Sequence, residues 1–232
     1  MRTSCVSRSC RPACSAGSQV SRRCLVPFLG SFLREVLAAV PALLLALSFH
    51  EYAHGKVASL LGDPTPARQG RLTVNPLAHL DPLGTLLLVI AGFGWAKPVE
   101  INPFYFRGNR RRALVLVSLA GPLMNLVLAY LAAFALASWA PAGYLRALLS
   151  WLLLYNVLLA VFNLLPVPPL DGSKVVAGLL PPQAGQFFYQ LESYGPFFLL
   201  LLVVTGIIGR ILDPLVRGLT TLLLQAAGTS LF

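Results

Sequence analysis

The residues best equipped for chemistry are His50-Glu51-Tyr52-Ala53-His54. Positions four apart share one face of a helix, so both imidazoles can reach a single cation. Glu51, one step on from His50, is rotated toward the open coordination position, where it can take a proton from water. This is the physical content of an HExxH pattern: two nitrogen ligands, a carboxylate base and hydrolysis by an activated water. The competing reading is a pair of satisfied polar residues in a helix. Context weighs against it, because ionisable groups at membrane depth cost on the order of 3 kcal/mol each. Three such groups in one apolar helix need a compensating partner, and a divalent metal supplies one.

A catalytic zinc takes a third protein ligand. The extended pattern with Gly at 57 and His at 60 is excluded, because Val57 and Leu60 stand there. The candidates are His79, Asp81, Glu100 and Asp171. His79 reads as a loop imidazole in a local hydrogen bond. Asp81 precedes Pro82 and reads as a turn or helix cap. Asp63 follows Gly62, a helix-ending glycine, and serves that helix end. Asp171 stands out: it follows an apolar span and a proline run and is flanked by Leu170 and Gly172. A carboxylate held at membrane depth by a broken helix is a functional candidate. Its alternative role is the N-cap of a helix beginning near Ser173.

These residues must be positioned by membrane elements. The chain has 232 residues, of which 56% are hydrophobic and 11% charged, with a mean hydropathy of +0.74. A soluble domain carries about 25% charged residues, so the composition predicts an all-α polytopic membrane protein. The net charge of +10 is concentrated in the N-terminal tail, where residues 1–34 hold six arginines and no acid. Such charge acts on orientation or anionic lipid. No aromatic-basic platform points to nucleic acid. Cys5, Cys10, Cys14 and Cys24 all lie in this tail, with spacing that fits no zinc or disulfide template. A disordered tail or start-site artefact, a targeting segment, and a metal or redox cluster are the readings for residues 1–24. Residues 25–232 read as one membrane domain.

Apolar runs place clear spans at 36–61, 113–139 and 144–165, a fourth at 194–212 and a peripheral or half-length helix at 214–224. The run Pro166-Val167-Pro168-Pro169 must break the third span before Asp171. Residues 82–93 are apolar but give only about 18 Å of helix against a core of about 30 Å, which predicts a re-entrant element. Residues 71–75 and 94–106 read as extended chain, a small β element between the first two clear spans. In all, about four to six transmembrane or re-entrant segments are expected.

The stretches HEYAHG, AGPLMN and NLLPVPPLDG, in that order on successive spans, resemble the site-2 protease family of zinc-dependent intramembrane proteases. The resemblance runs from about residue 36 to 212 and is closest to small bacterial and plastid-type members without a PDZ domain. It implies one zinc per chain held by His50, His54 and Asp171, Glu51 as catalytic acid/base, and Asn163 and Asn125 at the substrate backbone or its carbonyl. It also implies transmembrane protein substrates, a lipid environment and zinc near the cytoplasmic face. The host would be a bacterial cell membrane, with an organelle membrane as the other possibility. For Asn163 a structural role, bonding carbonyls freed by the prolines, competes. For Asn125 the competitor is an interhelical hydrogen bond. A metal transporter or an inactive zinc-stabilised scaffold are the alternatives in function. Transport requires a path of polar ligands across several spans, and the spans carry few.

If 82–93 is re-entrant, topology reporters fused before residue 81 and after residue 112 report the same side of the membrane. Opposite sides would overturn that assignment and reverse the loops.

Overall fold

The computed structural model describes residues 22–81 and 97–228. Its helices are α1 (Arg22–Leu60), α2 (Thr65–Arg68), α3 (Arg110–Trp139), α4 (Gly143–Asn163), α5 (Asp171–Leu179), α6 (Pro182–Glu192), α7 (Gly195–Val204) and α8 (Ile207–Ala226). Three of them contain stretches long and apolar enough to cross a membrane: Leu33–Leu60, Arg110–Trp139 and Gly143–Asn163. The chain is an all-α polytopic membrane protein. The expected re-entrant element at 82–93 lies outside the described residues.

Helices α1, α3 and α4 pack mutually, and the sequence shows how. On α1, the buried positions Ala38, Ala42, Ala46, His50, His54 and Ala58 recur every four residues. On α3, Ala113, Val117, Gly121, Asn125, Ala129 and Ala133 do the same. Rows spaced by four residues form ridges along a helix, and small side chains on them let two backbones approach closely. Large apolar side chains, such as Leu37, Val40, Leu123, Val127, Leu131 and Phe134, point outward instead. That inversion of a soluble core suits a lipid surround, where close van der Waals packing rather than water exclusion joins helices.

Past α1 the polar loop folds back on the helix end. Gly62 turns the chain at φ 110°, and a side chain there would press on the Tyr105 carbonyl and Arg107. Asp63 is fully buried and accepts from the backbone N–H of Thr65 (2.9 Å) and of Asn102 (2.7 Å). It therefore starts the next turn and ties down the extended segment 97–102. The His79 Nε2–H donates to the Thr73 carbonyl at 2.8 Å, the local bond expected of it. Residues 71–75 and 97–102 are non-helical, as anticipated, yet no sheet forms among the described residues; the Lys97 N–H to His79 carbonyl bond (2.8 Å) is an isolated link.

The C-terminal third departs from a continuous fourth span. Helix α7 stops at Val204, and α8 leaves it at a bend of 79°. Gly206 takes φ 71°, outside the right-handed helical region, so the helix cannot continue through it, and Thr205 Oγ1 donates back to the Leu201 carbonyl (2.9 Å) at the last turn. Hydropathy alone runs across this break because both sides are apolar. Helix α8 is amphipathic: Ile208, Leu212 and Val216 turn inward to the core of α3 and α4, while Arg217 pairs with Asp213 at 2.8 Å on the exposed side. The peripheral helix expected at 214–224 is thus the second half of a longer one.

Candidate metal centre

Asp171 reaches the histidines because α4 ends at Asn163 and the proline run turns the chain back. Asp171 is the first residue of α5, with Leu170 in the cap position and no side-chain capping bond. The carboxylate is therefore free of the N-cap role that the sequence left open. Gly172 allows the close approach, since a Cβ there would overlap the Leu164 and Leu165 carbonyls. A negative charge at a helix start is also favoured by the helix dipole.

Three ligand atoms converge. His54 Nε2 lies 3.0 Å and His50 Nε2 3.3 Å from Asp171 Oδ2, and the two Nε2 atoms are 3.0 Å apart. Ligands about 2.0–2.1 Å from a tetrahedral zinc stand about 3.3–3.4 Å from one another, close to the triangle observed. The far side of each ring is engaged. His54 Nδ1–H donates to the Val117 carbonyl at 2.7 Å, and His50 Nδ1 lies 3.1 Å from Asn125 Oδ1. With protons on Nδ1, both Nε2 atoms present lone pairs beside a carboxylate oxygen. Electron-pair donors crowded in this way form a donor set for a cation, and these three side chains could hold one.

The donor set opens into a cavity of about 450 Å³. Glu51 lines it, with Oε2 accepting from the Val99 N–H at 2.9 Å. Asn163 lines it too, and its Nδ2 donates to the Leu159 carbonyl one turn back at 3.0 Å. It does not bond the Phe162 carbonyl that Pro166 frees, which takes the Leu165 N–H instead (3.2 Å). Asn125 does not line the cavity; it is fully buried behind His50. Asp63, His79, Asp81 and Glu100 are not in the metal-capable group.

The histidines of the donor set thus lie on a helix that can cross a membrane, and comparison with known proteins gives the family. Residues 137–203 match the model of peptidase family M50. A Bacillus subtilis protein named "Putative zinc metalloprotease YwhC" is 41% identical over 200 residues, covering 81% of this chain and 91% of that protein. The chain belongs to peptidase family M50, the site-2 proteases. A Mycolicibacterium smegmatis protein, "Putative zinc metalloprotease Rip2", is 28% identical over 211 residues, 85% of this chain and 81% of that one. A Methanocaldococcus jannaschii protein, "Putative zinc metalloprotease MJ0611", is 39% identical over 137 residues, 55% of this chain and 63% of that one. No solved structure matches the chain. This M50 chain is thus a zinc metalloprotease and an integral membrane protein, and neither a transporter nor a scaffold is favoured.

Sequence reasoning missed three contributors: the Val117 carbonyl, the Val99 N–H and Gly121. Backbone groups leave no mark in side-chain patterns. Gly121 did leave one, standing four residues from both Val117 and Asn125. A Cβ at 121 would overlap both imidazoles. Gly121→Ala should therefore displace them, cutting bound zinc by at least tenfold and destabilising the protein by about 1–3 kcal/mol. Metal analysis and thermal melting check this; full zinc occupancy would show that the rings do not need the gap.

Proposed function

We propose that this protease hydrolyses peptide bonds in or beside transmembrane helices of membrane-protein substrates, with His50, His54 and Asp171 holding its zinc. The observation that carries the reading is the meeting of that donor set with Glu51 in one cavity among helices long enough to span a bilayer. Zinc, when bound, supplies Lewis acidity that acidifies water and polarises a carbonyl. Glu51 takes the proton of the attacking water and passes it to the leaving amine. Its bond to the Val99 N–H orients the carboxylate toward the cavity and links it to the extended segment 97–102, where Pro98, Val99 and Ile101 also line the space.

A helix has its amides bonded internally and must unwind before attack. Extended enzyme chain beside the base is suited to hold the unwound stretch by strand addition, a role for residues 97–102 and, further out, 71–75. Pro169 and Leu170 line the cavity, so the broken helix borders the space through which water would reach the site. The host membrane in this reading is a bacterial cell membrane, in keeping with the Bacillus relative.

Glu51→Gln should keep zinc at wild-type stoichiometry and lose about 10²–10⁴-fold in cleavage of a membrane-helix substrate. Metal analysis beside single-turnover cleavage tests it. Unchanged cleavage would remove Glu51 from the chemistry, and equal cleavage of soluble unfolded peptides by the wild type would refute the preference for membrane helices.

Asn163 is the candidate for the substrate carbonyl. One amide N–H is spent on its own helix, and the residue still lines the cavity next to Asp171. Asn163→Ala should lower cleavage on the order of 100-fold with zinc content unchanged. A purely structural role would instead cost roughly 1–3 kcal/mol of stability, seen as a lower melting temperature with near-normal cleavage per folded molecule.

A further inference from the structure

One face of α3 meets both imidazoles. Val117, Gly121 and Asn125 follow one another at four-residue intervals, and each does a different job. The Val117 carbonyl takes the His54 Nδ1 proton, Gly121 leaves room for both rings, and Asn125 Oδ1 stands 3.1 Å from His50 Nδ1. A backbone carbonyl can only accept, so His54 is held with its proton on Nδ1 and its Nε2 lone pair free. An amide is different, because it can present either an acceptor oxygen or a donor nitrogen. Only the oxygen, facing His50, leaves Nε2 of that ring free to bind a cation; the amide nitrogen would favour the opposite tautomer.

Among the described residues Asn125 has no other bond. It is 0% exposed, it does not line the catalytic cavity, and its buried Nδ2 has no hydrogen-bond partner among them. A buried, unsatisfied amide N–H costs stability, so packing alone explains the residue poorly; its one bond is the interhelical one, from α3 to His50 on α1. We propose that Asn125 is the positioning residue of His50: its Oδ1 fixes the Nδ1–H tautomer and the ring orientation, and so completes on α3 a template whose other acceptor is the Val117 carbonyl. This rests on His50, His54 and Asp171 being the zinc ligands, and it replaces the substrate contact expected of Asn125 from the family resemblance.

The test is zinc affinity by chelator competition on full-length protein in detergent, with melting of the metal-free form alongside. Asn125→Leu keeps the branched heavy-atom shape and removes the acceptor. It should weaken zinc binding about 10–100-fold, the usual effect of losing an outer partner of a metal-bound histidine, with metal-free melting at or above wild type. Asn125→Asp offers only acceptors to His50 and should bind zinc within a few-fold of wild type. A folded Asn125→Leu protein with wild-type zinc affinity overturns the proposal, as does an Asn125→Asp protein as weak as Asn125→Leu. Should Asn125→Leu fail to fold, Asn125→Asp decides: retained zinc supports the acceptor role, and loss overturns it. His54→Ala, measured in parallel, separates the two levels. If it too keeps wild-type zinc affinity, the ligand assignment fails, and this proposal with it; if it loses zinc while Asn125→Leu does not, only this proposal fails.

Discussion

The structure turns on the packing of one four-residue ridge against another. The buried row of α1 contains His50 and His54 in the same series as Ala38, Ala42, Ala46 and Ala58. The facing row of α3 contains Gly121 and Asn125 in series with Ala113, Val117 and Ala129. His54 meets Val117 and His50 meets Asn125, so the rows run antiparallel. Two imidazoles are far larger than the alanines around them. They fit only because the opposite ridge is emptied at Gly121. Helix association and ligand geometry are therefore one constraint, since the contact that brings α1 and α3 together also aims both rings.

The charged groups sit where they would be expensive alone. Buried imidazoles and a half-buried carboxylate among apolar spans lose hydration that nothing in lipid replaces. Here they face one another at 3.0–3.3 Å, and a cation would satisfy all three at once. Asp63 shows the other solution in the same molecule. Its buried carboxylate accepts two backbone N–H groups and needs no metal. The two aspartates thus have distinct roles set by their partners, one closing a loop and one completing a donor set.

Function follows from how the remaining parts meet that centre. The extended segment reaches Glu51 through the Val99 N–H, and the loop carrying it is anchored at Asp63. The proposed base and the extended chain proposed to hold substrate are thereby held in one frame. On the other side the broken helix before Asp171 supplies Asn163, Pro169 and Leu170 to the cavity wall. Irregular backbone at this depth is tolerated because it lines a cavity rather than facing lipid.

Much of this was legible along the chain. The pair His50 and His54 with Glu51 could be read directly, because helical periodicity is local and four-residue spacing fixes which side chains share a face. The spans ending near Leu61, Trp139 and Asn163 were legible for the same kind of reason, since hydropathy is a property of consecutive residues. Hydropathy was blind to the break at Thr205 and Gly206, where apolar character continues while the backbone turns. Asp171 could be singled out beside the prolines, but its freedom from capping depends on where α5 begins and on Gly172 seating against the end of α4. Asn125 and Asn163 carry the same amide, and sequence alone gave both the same role. Only the tertiary structure separates them, placing one fully buried behind an imidazole and the other on the cavity wall. The direction a side chain faces between helices is set by how distant segments pack, and no local pattern records it.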